Sequence, residues 1–259
     1  MREFVIYADS ACDMSPEILA KWGVPYSSLT FRFDGEDKEY ANGDMVSTEF
    51  YDRMRKGGVA KTSAVNSEVF SIAFEEILKE GKDLLYLGFS SGLSATYNSA
   101  RLAADSLLGK YPDRKIVVID TLCASAGLGL VVYLALQKQK NGATIEEVAE
   151  YVESIKLNVC HWVTVDDLVY LKRGGRVSPT TAFVGNVLGI KPIVKVDNDG
   201  KLDSCAKAKG RKASINYLAD RYGEMANPLG GTVFISHADC EDEARLLGDI
   251  LKERYNANI

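Results

Sequence analysis

The chain has 259 residues, which suits one large domain or two modest ones, and its 46% hydrophobic and 26% charged residues are typical of a globular protein. The net charge of −5 argues against a broad nucleic-acid-binding surface, and no apolar run reaches the roughly 18 residues needed to span a bilayer. The five cysteines are widely spaced without a Cys-x-x-Cys pair and there are only two histidines, which argues against a disulfide framework or a zinc site.

The first half of the chain predicts alternating strands and helices. The strand predicted over 4–7 lacks the apolar core and cleavage site of a signal peptide, so we expect a cytoplasmic protein. Ser15 as N-cap and Pro16 at the first helical position begin a helix. Further predicted elements are a strand over 26–33, a helix over 44–55 capped by Ser47 or Thr48, a helix capped by Ser67, a strand over 115–119, an apolar helix in which Gly127 and Gly129 allow close packing, and a helix over 144–156.

The stretch 83–100 predicts a buried strand, a tight turn and a helix. An apolar run over 84–87 is followed by Ser90-Ser91-Gly92 and then by apolar residues at helical spacing. The first amides of such a helix lack internal partners and lie at the positive end of its dipole. Hydroxyls surround them without a lysine or arginine, which suits a small anion such as a carboxylate or phosphate. In the alternative interpretation one serine is an N-cap and the others are solvated turn residues.

The pattern changes near residue 157. Predicted strands over 191–196 and 201–207, joined by a turn at Asp199-Gly200, form a hairpin. Around it the sequence predicts strands over 161–165 and 232–236 and helices over 180–188, 211–225 and 241–255. We therefore expect an α/β protein of two domains, a parallel α/β sheet domain over 1–156 and an α+β domain over 157–259.

Motifs for catalysis are weak. The chain contains no Gly-x-Ser-x-Gly elbow, no P-loop, and no Gly-x-Gly-x-x-Gly opening a helix after a strand. A serine-dependent hydrolase or a phosphotransferase using Ser91 or Ser94 stays an alternative, but the spacing supplies no positioned base. Asp9 and Asp13 suit capping of backbone amides better than binding of a divalent metal, because no further acid lies nearby in the sequence.

Several short motifs follow one another along the chain. They are Asp9-Ser10 with Asp13, Thr62-Ser63, Ser90-Ser91-Gly92-Leu93-Ser94-Ala95-Thr96-Tyr97-Asn98-Ser99-Ala100, Val118-Ile119-Asp120-Thr121, Asp167-Leu168-Val169-Tyr170-Leu171-Lys172-Arg173-Gly174-Gly175-Arg176 and Lys191-Pro192-Ile193. In this combination the chain resembles the DegV family of bacterial fatty-acid-binding proteins, over nearly its whole length.

The resemblance implies a two-domain α/β architecture with a long-chain fatty acid, such as palmitate or stearate, between the domains and its acyl chain in an apolar tunnel. It implies a non-catalytic carrier, without cofactor or metal, that presents the acid to a separate fatty-acid kinase. Motif by motif, the carboxylate-binding positions are Thr62, Ser63, Ser91 and Ser94. Neutral hydroxyls and helix amides can bind a carboxylate without a buried cation.

Three basic residues are further candidates from the resemblance. Arg176, Lys209 and Arg211 would contact the head group or the partner. The chain departs from the family at Ala64-Val65, where Gln-Pro is usual, at Ala95, where glycine is usual, and at Lys209, where arginine is common. Family members also commonly continue into a last strand and a His-containing, glycine-rich segment. We expect that the sequence is incomplete there or that the site is completed differently.

Overall fold

The computed structural model describes residues 2–178 and 189–259 and divides into two compact units, Met1–Val159 and Cys160–Ile259. The first unit alternates strands and helices, as the sequence predicts. Its elements are β1 (Phe4–Asp9), α1 (Pro16–Trp22), β2 (Tyr26–Ser27), β3 (Thr30–Phe33), β4 (Tyr40–Ala41), α2 (Ser47–Arg55), β5 (Ala60–Ser63), α3 (Ser67–Lys79), β6 (Asp83–Gly88), α4 (Thr96–Leu108), β7 (Ile116–Asp120), α5 (Ser125–Lys140) and α6 (Ile145–Ile155).

The predicted parallel sheet is confirmed, with strand order β2-β1-β6-β7 and every neighbouring pair parallel. Strand β6 is buried along its whole length, because helices cover both faces of the sheet. One core packs α1, α5 and α6 on one face, and the other packs α3 and α4 on the opposite face. Strands β1, β6 and β7 end at Asp9, Gly88 and Asp120, which places these three residues at one edge of the sheet.

The prediction of a single strand over 26–33 is wrong. Strand β2 pairs in parallel with β1, whereas β3 belongs to a separate antiparallel sheet of order β4-β3-β5. The alternation of apolar and polar residues is interrupted by the consecutive Ser27 and Ser28, but this shift of one residue does not show that the two parts pair in different sheets. Thr62 and Ser63 lie on β5.

The helix caps are partly as predicted. The Ser15 hydroxyl accepts the Ile18 amide at 3.3 Å and Pro16 opens α1, which confirms that cap. The predicted caps at Ser47, Thr48 and Ser67 are wrong. Helix α2 begins after Val46 without a side-chain cap, and Asn66 caps α3 by accepting the Val69 amide at 2.9 Å. Asparagine is as good a cap as serine, so local preference did not distinguish Asn66 from its neighbour.

The second unit contains β8 (Trp162–Thr164), α7 (Val169–Arg173), β9 (Ile190–Val196), β10 (Leu202–Lys209), α8 (Arg211–Met225) and α9 (Glu241–Tyr255). Its antiparallel sheet has the order β10-β9-β8, and the predicted hairpin is confirmed. The strand predicted over 232–236 is wrong: within 2–178 and 189–259, its pairing is limited to an isolated bridge between Thr232 and Asn258.

The predicted helix over 180–188 lies outside the described residues. In the ranges that are described, no helix combines the length and the apolar character that crossing a membrane requires.

Candidate functional site

The residues 89–96, called the serine turn below, join β6 to α4 and include the first residue of α4. Several of their amides and hydroxyls bond to one another within the turn. The Leu93 and Ser94 amides donate to the Ser90 carbonyl at 3.0 and 3.1 Å, and the Gly92 amide donates to the Ser90 hydroxyl at 3.2 Å. The Ser90 amide donates to the Cys123 carbonyl at 3.0 Å. These bonds give the turn a defined shape, because the amides of Ser90, Gly92, Leu93 and Ser94 all have acceptors.

The beginning of α4 remains open. Its N-cap residue, Ala95, makes no side-chain cap bond. The backbone amides of Tyr97 and Asn98 make no hydrogen bond to any other described residue. Because α4 has 13 residues, these amides lie at the positive end of a substantial helix dipole. Such an arrangement can bind an anionic oxygen.

Ser94 and Thr96 are paired at the edge of this opening. Their hydroxyl oxygens lie 2.9 Å apart, and the Ser94 oxygen also accepts the Thr96 amide at 3.2 Å. Ser94 is half-buried, Thr96 is buried and Ser91 is exposed. When Thr96 donates to Ser94, the Ser94 O–H is available to a ligand, since a hydroxyl combines one donor with two acceptor sites.

A buried carboxylate supports the serine turn from below. Asp9 is 0% exposed and accepts hydrogen bonds from the Tyr86 hydroxyl at 2.6 Å, the Phe89 amide at 2.9 Å and the Ala11 amide at 3.0 Å. Burial raises the pKa of Asp9 to about 6, and its hydrogen bonds partly offset that rise. The predicted capping role of Asp9 is confirmed, and no cluster of metal-ligating residues occurs in the described part of the chain.

Sequence reasoning assigned no role to two residues beside the turn. One oxygen of Asp120 accepts the amides of Ser91 and Leu122, each at 3.2 Å. The ammonium group of Lys156 donates to the Asp120 carbonyl at 3.0 Å and forms an ion pair with Glu153 at 2.7 Å. The position of Asp120 at the carboxyl end of a strand was a usable signal, whereas nothing in the sequence linked Lys156 to the turn.

The second hydroxyl segment lies on β5. In the antiparallel register Thr62 pairs with Phe31, and Ser63 pairs with Thr30. Both side chains are exposed, and neither hydroxyl makes a hydrogen bond among the residues described. Their donors are therefore available to a ligand.

The three basic candidates lie in the second unit and differ in their environments. Arg211 forms an ion pair with Asp166, which also pairs with Lys191 at 2.5 Å. Lys191 and Arg211 together hold the pKa of Asp166 below its usual value. Arg176 donates to the Gly174 carbonyl, and the exposed Lys209 lies on β10 opposite Ile190. Arg211 is thus already committed to a carboxylate of its own unit.

A separate groove of about 590 Å³ lies between β2 and α3. It is lined by Tyr7, Tyr26, Ser27, Ser28, Val69, Ile72, Ala73 and Glu76. None of the four predicted carboxylate-binding residues is among them.

The hydrogen bonds give little support to nucleophilic catalysis. Within the described residues no histidine, lysine or carboxylate bonds to the hydroxyl of Ser91 or Ser94. Both histidines belong to the second unit, where the His237 ring accepts the Cys240 amide at 3.3 Å. A serine nucleophile needs a base within hydrogen-bonding reach.

Comparisons with known proteins match almost the whole chain. A family model described as "Uncharacterised protein, DegV family" matches residues 3–259. A DegV domain-containing protein of Clostridium perfringens is 42% identical over 257 residues, covering 98% of this chain and 88% of that protein. A DegV lipid-binding protein from Thermotoga maritima has a TM-score of 0.83 at 30% identity, covering 98% of this chain and 89% of its own. A Ruminococcus gnavus structure of the same family, described with vaccenic acid, has a TM-score of 0.86 at 26% identity, covering 99% and 91%.

Proposed function

The chain belongs to the DegV family, and on that premise we propose that it is a non-catalytic carrier of a long-chain fatty acid such as palmitate or stearate. The proposal is supported by the lipid-binding protein of Thermotoga maritima and by the vaccenic acid described with the Ruminococcus gnavus protein.

The observation that carries the proposal is the open start of α4 beside Ser94. The unbonded amides of Tyr97 and Asn98 and the Ser94 hydroxyl offer neutral donors to one carboxylate. Ser91 in the same turn and Thr62 and Ser63 on β5 add three exposed hydroxyls. Hydrogen bonds from neutral donors to a carboxylate are shorter and stronger than those to neutral acceptors.

The acyl chain supplies most of the affinity in this proposal. Each methylene group removed from water contributes about 0.8 kcal/mol, so a chain enclosed in an apolar tunnel binds far more tightly than its carboxylate alone. The hydroxyl groups then select an acid over an alcohol or an ester of the same length.

A second part of the proposal rests on the family resemblance alone. We propose that the loaded protein presents the fatty acid to a separate kinase, and that Arg176, Lys209 and Arg211 contact the head group or that partner. Arg176 and Lys209 are exposed, whereas Arg211 would have to exchange or share its ion pair with Asp166.

The test is to denature the purified protein and identify released lipid by mass spectrometry, followed by titration of the delipidated protein with myristate, palmitate and stearate. We expect one molar equivalent of a long-chain acid and saturable binding. Absence of both overturns the carrier proposal. Stable labelling of Ser91 or Ser94 by a fluorophosphonate probe would instead favour the hydrolase alternative.

A further inference from the structure

We infer that Asp9 and Ser10 form a common anchor that sets the positions of both hydroxyl segments of the carboxylate site. The inference rests on the proposed function, because it assigns these two buried residues a role in head-group binding. Neither residue is placed in contact with the ligand, so both are positioning residues.

Asp9 connects the end of β1 to the serine turn. Its Oδ2 atom accepts the Phe89 amide at 2.9 Å, immediately before the two serines that begin the turn. The same oxygen accepts the Tyr86 hydroxyl at 2.6 Å. The carboxylate therefore holds a side chain of β6 and the backbone amide of Phe89, the residue that follows this strand. Burial raises the pKa of Asp9 to about 6, which leaves it mostly ionised at neutral pH, when its bonds to these donors are strongest.

Ser10 connects the same end of β1 to the second segment. Its hydroxyl accepts the Leu29 amide at 3.0 Å, and Leu29 directly precedes β3. The carbonyl of Ser10 also accepts the Asn42 side-chain amide at 3.4 Å, and Asn42 donates its backbone amide to the Leu29 carbonyl at 2.9 Å. The beginning of β3 is therefore held at Ser10 from two sides.

Strand β3 connects Ser10 to the predicted ligand-binding hydroxyls, because it pairs with β5. Thr30 follows Leu29 and pairs with Ser63, and Phe31 pairs with Thr62. A shift of β3 relative to β1 thus moves Thr62 and Ser63, while a shift of Phe89 moves Ser91 and Ser94. Since Asp9 and Ser10 are adjacent, buried and joined in one short turn, they fix the spacing between the two segments.

Ser10→Ala tests the Ser10 branch, with palmitate and hexadecanol as ligands for delipidated protein. Loss of the hydroxyl leaves the Leu29 amide without its acceptor, and we expect palmitate affinity to fall about 3- to 10-fold with little change for the alcohol. Ser106→Ala is the matched control, because it removes a hydroxyl that donates to the Ala103 carbonyl within α4, at 2.7 Å, away from both hydroxyl segments. The control should keep wild-type affinity.

Double-mutant cycles separate positioning from general loss of stability. Ser10→Ala should cost little further affinity in a Thr62→Ala/Ser63→Ala background, and clearly more in a Ser94→Ala background. Asp9→Asn should show the reverse pattern, with stronger coupling to Ser94→Ala than to the β5 variants. Ser10→Thr, which retains a hydroxyl, should recover part of the palmitate affinity lost in Ser10→Ala.

The outcomes distinguish this inference from the proposed function. If the wild-type protein binds palmitate and Ser10→Ala lowers affinity equally for acid and alcohol, or adds fully in both backgrounds, the anchor is overturned and the carrier stands. If Ser10→Ala and Asp9→Asn both keep wild-type affinity for palmitate, the anchor is likewise overturned and the carrier stands. If the wild-type protein binds no acid, the proposed function and this inference both fall.

Discussion

The Tyr86 hydroxyl donates to the buried Asp9 carboxylate at 2.6 Å, joining neighbouring strands β6 and β1 beneath the serine turn. Tyr86 and Asp9 are both 0% exposed, so water cannot solvate the carboxylate. The Tyr86 hydroxyl supplies one of the hydrogen bonds that a buried charge needs in place of water. The same carboxylate oxygen also holds the Phe89 amide, which couples the interior of the sheet to the candidate site.

Replacing Tyr86 by phenylalanine should destabilise the protein without creating a large cavity. The hydroxyl is a donor to a charged group, so its loss should lower the free energy of unfolding by about 1–3 kcal/mol in urea denaturation. Tyr222→Phe is a control, because its hydroxyl donates over a longer 3.3 Å to the Gly231 carbonyl in a partly buried position. Equal effects of the two variants would contradict a special contribution of the Asp9 carboxylate.

The raised pKa of Asp9 predicts a specific dependence of stability on pH. Its pKa is about 6 in the folded protein against an ordinary value of 3.8, so between these two pH values the folded state binds more protons than the unfolded state. The contribution of this group to the free energy of unfolding is therefore largest below pH 3.8 and is lost as pH rises through 6, by roughly 3 kcal/mol.

Urea denaturation of the wild-type protein and Asp9→Asn from pH 4 to pH 7 measures this contribution of Asp9 to the free energy of unfolding. Other titrating groups are common to both proteins and cancel in the difference. The stability advantage of the wild type over the variant should shrink as pH increases. A difference that is constant with pH would show that folding does not raise the pKa of Asp9.

The two hydroxyl segments should each contribute to affinity for a fatty acid. Thr62→Ala and Ser94→Ala each remove a neutral donor to a charged acceptor, worth about 1.5–3 kcal/mol, or roughly one to two decades in the dissociation constant. The double variant should lose less than the sum, because both donors act on one carboxylate. The affinity for a fatty alcohol, which lacks the carboxylate, should be similar in the wild type and the variants.

Melting temperatures on the same samples separate binding from folding. Ser94→Ala should also melt earlier, since the Ser94 oxygen accepts the Thr96 amide at the start of α4. Ser47→Ala, which removes a side chain without a cap bond, should change neither quantity. Wild-type palmitate affinity in both Thr62→Ala and Ser94→Ala would place the carboxylate elsewhere.

Gly129→Ala should destabilise the first unit through steric overlap. A Cβ atom at this position of α5 would lie 2.9 Å from the Cys12 carbonyl oxygen and 2.7 Å from the Met14 methyl group. The backbone contact cannot yield without moving α5 away from the end of β1, so we expect a loss of about 1–3 kcal/mol. Gly109→Ala meets no atom within 4 Å and should be neutral or slightly stabilising in thermal unfolding. Similar melting temperatures for both variants would contradict the packing argument.

Local patterns in the sequence were enough to predict many of the elements. The predicted helices over 211–225 and 241–255 have the bounds of α8 and α9, and the Asp199-Gly200 turn joins β9 to β10. Ser15 and Pro16 begin α1 as expected. These features depend on residues a few positions apart, whose hydrophobic periodicity, capping and turn preferences are present in the sequence itself.

The pairing of segments and the contacts between distant side chains follow from tertiary packing. The apolar segment over 232–236 has strand character but no partner strand among the described residues, and the segment over 26–33 changes sheets at Ser28-Leu29. Asp9 meets Phe89 across 80 positions of sequence, and Lys156 reaches Asp120 across 36. Such contacts are set by strand order and by the packing of helices onto the sheet. Their energies depend on burial and on partners distant in the chain, so local composition and periodicity do not specify them.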